Sequence, residues 1–336
     1  MTLQASDFDY ELPDAAIAQE AIEPRDSARL LVASTLDDRS ISDLPALLHP
    51  GDLLVVNETR VRPARLTAIK PTGGSVEVLL TKRRDEMTWE ALVRPARRVH
   101  TGTTMSAGPL ALTVLTEPDH GVVTVSVTGD GDTDDLLPGV GKIPLPPYFH
   151  GQLDDDERYQ TVFAKTVGSV AAPTAALHFT PALIAGLADR GVEITTVDLE
   201  VGLDTFRPMQ DGPVENHQMH RERYRVPESA VASIVAARGR GNRVVAVGTT
   251  VVRTLETAAD GLGGVTAGGG ESGLFITPGH RFTVVDAVVT NFHAPRSTLL
   301  VMIAAMIGDR WRAVYEHALT HGYRFLSFGD AMFIEP

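Results

Sequence analysis

The sequence predicts an α/β protein interrupted by a small antiparallel β domain, and three observations carry this. Leu53-Leu54-Val55-Val56, after the turn Gly51-Asp52, is an unbroken apolar run, the pattern of a strand buried on both faces. Residues 64–147 change character: short alternating strands recur with turn residues between them and no long helical pattern before Pro138, as in a small barrel or sandwich. From residue 181 onward, helices and strands alternate again. The main domain is therefore expected to be discontinuous, 1–63 plus 148–336, with 64–147 inserted.

Taken in order, the first 49 residues are irregular. Residues 7–13 alternate like a short strand, Asp14 can cap a short helix containing Ile17, and Arg25-Asp26-Ser27-Ala28-Arg29 leads into the apolar Leu30-Leu31-Val32. In the insert, strands are expected at 76–80, 89–93, 110–115 and 122–127; in the last, Val123, Val125 and Val127 share one face. The prolines of Ile143-Pro144-Leu145-Pro146-Pro147-Tyr148 make a stiff return linker. The acidic run at 154–157 reads as the solvated start of a helix. Thr180 caps, Pro181 opens and Gly191 ends a helix whose apolar stripe is Leu183, Ile184 and Leu187. A strand follows at 193–199, then a polar loop holding His217 and His220, which lack a third metal ligand at a recognisable spacing. Residues 227–238 form a helix with Val231, Ile234 and Val235 inward. A strand at 243–247, the tight turn Gly248-Thr249-Thr250 and a helix at 251–259 make a unit that aims backbone N–H groups at the negative end of a ligand. It lacks the lysine and spacing of a Walker loop. Residues 261–273 are expected as a flexible glycine-rich loop, 274–276 and 282–286 as strands, 299–307 and 310–319 as helices, and 323–334 as a closing strand.

Composition narrows the function. The absence of cysteine excludes disulfides, thiolate metal sites and a cysteine nucleophile, and fits a reducing compartment. The N-terminus lacks the basic-then-apolar pattern of a signal peptide, and the longest apolar run, at 298–307, is too short to span a bilayer. A cytoplasmic monomer without membrane partner is expected. The net charge of −13 argues against nucleic acid only as an average. Residues 60–100 hold ten Lys/Arg against four acids, a local +6 on a body carrying −19. Such a patch steers a polyanion to one face. Its candidate RNA contacts are Arg83, Arg84, Arg94, Arg97 and Arg98.

Three stretches gather chemistry. Small residues from Gly168 to Ala176, broken by Pro173, precede Leu177-His178-Phe179, as where backbone approaches a ligand or packs tightly. Asn57-Glu58-Thr59-Arg60 ends the buried strand. Thr290-Asn291-Phe292-His293-Ala294-Pro295-Arg296-Ser297-Thr298 places amide, imidazole, guanidinium and hydroxyls ahead of an apolar helix that Ser297 or Thr298 can cap.

These motifs, with Asp7-Phe8-Asp9-Tyr10-Glu11-Leu12-Pro13, 51–61, Pro144-Leu145-Pro146-Pro147-Tyr148, Tyr159-Gln160-Thr161-Val162, Ala171-Ala172-Pro173-Thr174-Ala175, Val245-Ala246-Val247-Gly248-Thr249-Thr250 and Gly329-Asp330-Ala331-Met332, run almost end to end. Together they resemble the S-adenosylmethionine:tRNA ribosyltransferase-isomerase family of queuosine biosynthesis. The resemblance implies a barrel-based α/β main domain with an inserted small antiparallel β-barrel. It implies S-adenosylmethionine as ribosyl donor, a tRNA carrying a deazaguanine precursor as acceptor, and no metal. Histidine titrates near neutral pH, so His178 and His293 are the acid/base candidates. Substrate binding is expected at Asn57, Glu58, Arg60, Pro173, Thr174, Ala175, Phe179, Thr205, Phe206, Gly248, Thr249, Thr250, Arg253, Asn291 and Asp330. Ala176, Glu200 and Asp204 stand where the family pattern has Gly, His and Gly. A transferase acting on a small nucleobase or nucleoside, and an inactive tRNA-binding protein, are the alternatives on this scaffold.

Overall fold

The computed structural model describes residues 2–153, 155–202 and 208–335. Two compact units divide the chain: 1–59, 146–166 and 172–336 form one, and 60–145 with 167–171 form the other.

The strands, in chain order, are Arg29–Val32 (β1), Asp37–Ser40 (β2), Leu53–Asn57 (β3), Thr59–Val61 (β4), Arg65–Ile69 (β5), Ser75–Arg83 (β6), Thr88–Arg94 (β7), Thr104–Ala107 (β8), Leu110–Val114 (β9), Val122–Thr128 (β10), Thr166–Ser169 (β11), Glu193–Leu199 (β12), Glu222–Val226 (β13), Val244–Val247 (β14), Gly268–Ser272 (β15), Ala287–Asn291 (β16) and Ala331–Ile334 (β17). The helices are Leu44–Leu47 (α1), Thr133–Leu136 (α2), Pro181–Asp189 (α3), Glu228–Gly239 (α4), Thr249–Thr257 (α5), Thr298–Ile307 (α6) and Arg310–Thr320 (α7).

In the larger unit the strands run as one mixed sheet in the order β15-β13-β12-β3-β14-β16-β17-β1-β2, with β15 and β2 at its ends. Its centre is parallel: β12 pairs with β3, β3 with β14, and β14 with β16. The apolar run of β3 follows from this position. Leu53 and Val55 join a core with Ile234, Leu255 and Leu300 of α4, α5 and α6 on one face. Leu54 and Val56 join a core with Leu183 and Leu187 of α3 on the other. A strand covered on both faces has no polar side to show.

The smaller unit is a closed barrel, β10-β7-β6-β5-β8-β9. Val123, Val125 and Val127 point inward as their alternation requires, each at most 1% exposed. The α/β class and the inserted closed barrel are thus as the sequence predicts.

Local signals succeed and fail for identifiable reasons. Thr180 Oγ1 accepts from Leu183 N–H at 3.0 Å and caps α3, and Ser297 caps α6 through Leu300 N–H at 3.2 Å. Asp155 caps the short 3₁₀ turn that the acidic run begins. Residues 7–13 are not a strand, because Ala5–Phe8 closes into a 3₁₀ turn whose Asp7 carboxylate accepts from Gln4 N–H. On α4 the buried stripe is Ala230, Ile234 and Ala237, and Val235 is 59% exposed; small residues, not the branched ones, let the helix approach the sheet. Gly268–Ser272 is no loop but an outer strand, since β13 supplies a pairing partner. Residues 274–276 and 282–286 form no strand. The Glu256 carboxylate of α5 takes the N–H groups of Thr283, Val284 and Val285 instead, so a side chain replaces a ladder.

Candidate active site

Strands β14 and β16 are parallel neighbours, and the chain leaves both at the same end of the sheet. In open α/β sheets a ligand crevice forms outside such carboxyl ends. Here the turn after β14 is Gly248-Thr249-Thr250, opening α5, and the end of β16 is Thr290-Asn291, continuing into Phe292-His293. Between them lies a cavity of about 300 Å³. Ala172 to Ala175, Gly248 to Thr250, Thr290 to Pro295, Leu326-Ser327 and Tyr148 line it, with Val201, Pro208, Ser297 and Leu299. Among the described residues, no lining side chain is an acid, a lysine or an arginine. Gly248 has φ +92°, a left-handed conformation that suits glycine, and lets the chain turn from strand into helix beside Ala175.

Asn291 is the hub of the polar wall. Its Oδ1 accepts from Thr174 Oγ1 at 3.0 Å, and its Nδ2 donates to His178 Nε2 at 3.2 Å. That fixes the His178 tautomer: Nε2 accepts, so the ring proton sits on Nδ1. His178 is buried and does not line the cavity. Burial, with the charges of Arg158 and Arg324, lowers its pKa to about 4 despite a bond to the Arg25 backbone. It is neutral near pH 7 and lies behind Asn291, bonded to its amide.

His293 does line the cavity. Its Nε2 lies 3.2 Å from Thr290 Oγ1, its N–H donates to the Tyr315 hydroxyl at 3.1 Å, and its carbonyl accepts from the Tyr10 hydroxyl. Burial lowers its pKa to about 3, so it too is neutral near pH 7. Across the cavity wall the Tyr148 hydroxyl shares a hydrogen bond with Ser327 Oγ, and burial raises it to about 12.

Of the expected binding residues, Pro173, Thr174, Ala175, Gly248, Thr249, Thr250 and Asn291 meet at this cavity. Others hold the fold around it. Asn57 is fully buried: its Oδ1 accepts from the N–H groups of Thr59 and Leu199, and its Nδ2 donates to the Leu199 carbonyl at 3.0 Å. Asp330 accepts from the N–H groups of Arg29 and Arg324. Phe179 packs on Phe163 in the core, ring centres 5.5 Å apart. Glu58 pairs with Lys165 at 3.4 Å. Arg60 belongs to the other unit, and Thr205, Phe206 and Asp204 lie outside the described residues. Ala176 is buried in the core and does not line the cavity. Glu200 acts on Asp198, whose carboxyl burial and the nearby Glu200 and Glu58 charges raise to about 6.

Arg253 lines a second, polar cavity of about 470 Å³ with His217, His220, Asn216 and Glu222; Pro208 and Leu299 line both cavities. Its guanidinium is paired with the buried Glu222 carboxylate, whose Oε1 also accepts from Gly202 N–H at 2.9 Å.

In the barrel, Arg83 is bound to Asp132 and Asp134 and lies over the Trp89 ring, so its charge is spent within the unit. Arg84 pairs with Glu90. Arg94, Arg97 and Arg98 are exposed and make no ion pair among the described residues.

Sequence reasoning missed Tyr148, Leu326 and Ser327 as cavity walls. Leu326 has φ +70°, set by a turn that no local residue pattern announces. Tyr148 ends the proline-rich return segment, whose residue pattern announces only a linker.

A family model described as queuosine biosynthesis protein matches residues 5–334. A protein of Symbiobacterium thermophilum named S-adenosylmethionine:tRNA ribosyltransferase-isomerase is 50% identical over 340 residues, covering 99% of this chain and all of that protein. One of Thermus thermophilus with the same name is 49% identical, covering 97% of this chain and 98% of its own. The crystal structure of S-adenosylmethionine tRNA ribosyltransferase from Thermotoga maritima matches with a TM-score of 0.57 and 39% identity, covering 98% of this chain and 100% of that one. The chain therefore belongs to the queuosine biosynthesis protein family, that of the S-adenosylmethionine:tRNA ribosyltransferase-isomerases.

Proposed function

We propose that this protein transfers and isomerises the ribosyl part of S-adenosylmethionine onto the 7-aminomethyl-7-deazaguanine wobble base of a tRNA. The product is epoxyqueuosine-tRNA, with adenine and methionine released. The observation that carries this reading is the convergence of three separate motif segments, around Thr174, Gly248 and Asn291, on one uncharged cavity at the carboxyl ends of β14 and β16. A cationic sulfonium with an adenine fits walls of apolar surface, hydroxyls and one amide.

The chemistry sets the demands. The sulfonium acidifies the adjacent 5′ methylene, so a positioned base can remove a proton. Adenine leaves more easily when protonated, and the acceptor amine attacks in its neutral form. His293, neutral at working pH, serves as a base or a hydrogen-bonding group and not as a stored acid. His178 acts through Asn291 and is a positioning residue. The exposed Arg94, Arg97 and Arg98 of the barrel are assigned to the RNA backbone, with 64–147 as the inserted domain of a cytoplasmic monomer.

The test is adenine release from S-adenosylmethionine by the full chain with deazaguanine-bearing tRNA. Release that needs both substrates is expected, and none with tRNA carrying guanine at the wobble position. Release with the free base but not with tRNA would move the assignment to a small-molecule acceptor. Salt-dependent tRNA binding without any release would mark an inactive binder.

A further inference from the structure

Two helices begin at the cavity, and they begin differently. At α6, Ser297 caps the first turn with its own hydroxyl. At α5 the N-cap is Gly248, which has no side chain to offer, and no side chain caps the turn. The first N–H groups of a helix have no carbonyl four residues back to bond, and they carry the positive end of the helix dipole. Thr249 and Thr250, the first two residues of α5, line the cavity.

A second, independent observation sits at the same place. Thr250 is only 8% exposed, and its Oγ1 is buried with no hydrogen-bond partner among the described groups. Its backbone carbonyl is engaged by Thr254 Oγ1 at 2.9 Å, but its own hydroxyl is not used by the helix. That hydroxyl lies 3.7 Å from where a Cβ on Gly248 would be, so it faces the turn. A buried polar group left unpaired is costly and calls for a partner.

The cavity lining supplies no cationic side chain among the described residues, so the α5 start is its anion-seeking feature. S-adenosylmethionine carries one anionic group, the α-carboxylate of its methionyl part. We propose that the N-terminus of α5, with the Thr250 hydroxyl, receives that carboxylate. This rests on the reading of the cavity as the donor site and adds the orientation of the donor within it. The methionyl end lies at Gly248-Thr249-Thr250, which leaves the Asn291 and His293 wall for the part of the donor where bonds change.

The test compares equilibrium binding, by calorimetry on the full chain, of S-adenosylmethionine and its decarboxylated analogue, which keeps the sulfonium and adenosine but lacks the carboxylate. Wild type is expected to prefer S-adenosylmethionine about tenfold or more, the scale of a hydrogen bond to a charged group. Thr250→Val removes the hydroxyl at nearly constant shape; it is expected to shrink that preference several-fold by weakening S-adenosylmethionine alone. Thr250→Ser keeps the hydroxyl and is expected to retain the preference. Equal binding of the two compounds by wild type, or an unchanged preference in folded Thr250→Val, overturns this inference and leaves the proposed function standing. Failure of wild type to bind either compound, with or without tRNA, overturns both. The wild-type ratio decides even if the valine variant does not fold.

Discussion

The cavity of the larger unit and the arginine-bearing surface of the barrel use polar groups in opposite ways. Among the described residues, the cavity is lined by hydroxyls, an amide and a neutral imidazole, with no formal charge on any side chain. The barrel carries arginines in number, but what each can do depends on where its charge goes. Arg62 and Arg83 both meet Asp134 and both lie over Trp89, at 4.8 and 5.4 Å from the ring centre. Arg94, Arg97 and Arg98 keep theirs in solvent. Under the proposed function, a sulfonium centre gains nothing from a cationic side chain beside it, whereas a surface for a polyanion needs such charges free. Counting charges along a sequence cannot separate these cases, because pairing partners such as Asp132 lie about fifty residues from Arg83 in the chain.

The largest effect is expected at Asn291. Its amide joins Thr174 to His178, also donates to the Asp330 carbonyl and faces the cavity, so Asn291→Ala removes three bonds and leaves a buried imidazole nitrogen unpaired. Adenine release should fall by about a hundredfold or more, since losing a preorganised hydrogen-bonding group costs on that order. Less than a threefold loss in kcat/KM would remove Asn291 from the site and break the contrast at its centre.

The same buried, uncharged character gives the larger unit an acid weakness. His178 and His293 have folded pKa values of about 4 and about 3, below the 6.5 of the unfolded chain. Below pH 6.5 the unfolded state takes up protons that the folded state refuses, so stability falls with pH, down to the folded values. The stability is fully present above pH 6.5, and by this linkage each histidine accounts for roughly 3 to 5 kcal/mol that is lost once the pH has fallen to its folded value. Urea unfolding between pH 7.5 and 4.5 should show the decline, and the double variant His178→Gln/His293→Gln should flatten it. An equally steep decline in that variant would place the acid sensitivity elsewhere.

How far the sequence discloses this can be judged residue by residue. Thr180, Ser297 and the β3 run act through their immediate neighbours, and each behaves in the fold as local chemistry requires. The cavity segments were legible too, because glycine and small residues at strand ends mark close backbone approach. Roles that depend on distant partners were not. Asn57 and Asp330 look like ligand groups in one dimension, yet each is consumed by backbone N–H groups brought from elsewhere in the chain, Leu199 and Arg29 among them. The glycine-rich 268–272 reads as a loop until β13 offers it a ladder, and 282–286 reads as strand until Glu256 takes its N–H groups.

His178 sharpens the distinction between lining a site and supporting one. If it acts only by holding Asn291, His178→Ala should lower turnover about tenfold while leaving the shape of the pH–rate profile between 5.5 and 8.5 unchanged. His178→Asn, which can still present an acceptor, should recover part of the loss. An acid or base would instead lose one limb of the profile. A vanished limb would return His178 to the chemistry and shift Asn291 to the supporting role.

The smallest expected effects lie in the barrel, and they separate its two kinds of arginine. Arg97→Gln/Arg98→Gln should weaken tRNA binding several-fold and lower the salt dependence by about two released counterions, with no change in melting temperature. Arg83→Gln should do the reverse. It breaks the bonds to Asp132 and Asp134, which are only partly shielded from solvent, and should cost about 1 kcal/mol of stability while leaving tRNA affinity within twofold. Filter binding across a salt series and thermal unfolding read the two out independently. If Arg83→Gln weakened tRNA as much as the double variant, the Asp132–Asp134 pairing would have to open on binding. The charge now spent inside the barrel would then be a reserve for the RNA, and the division between paired and free arginines would describe the unbound protein alone.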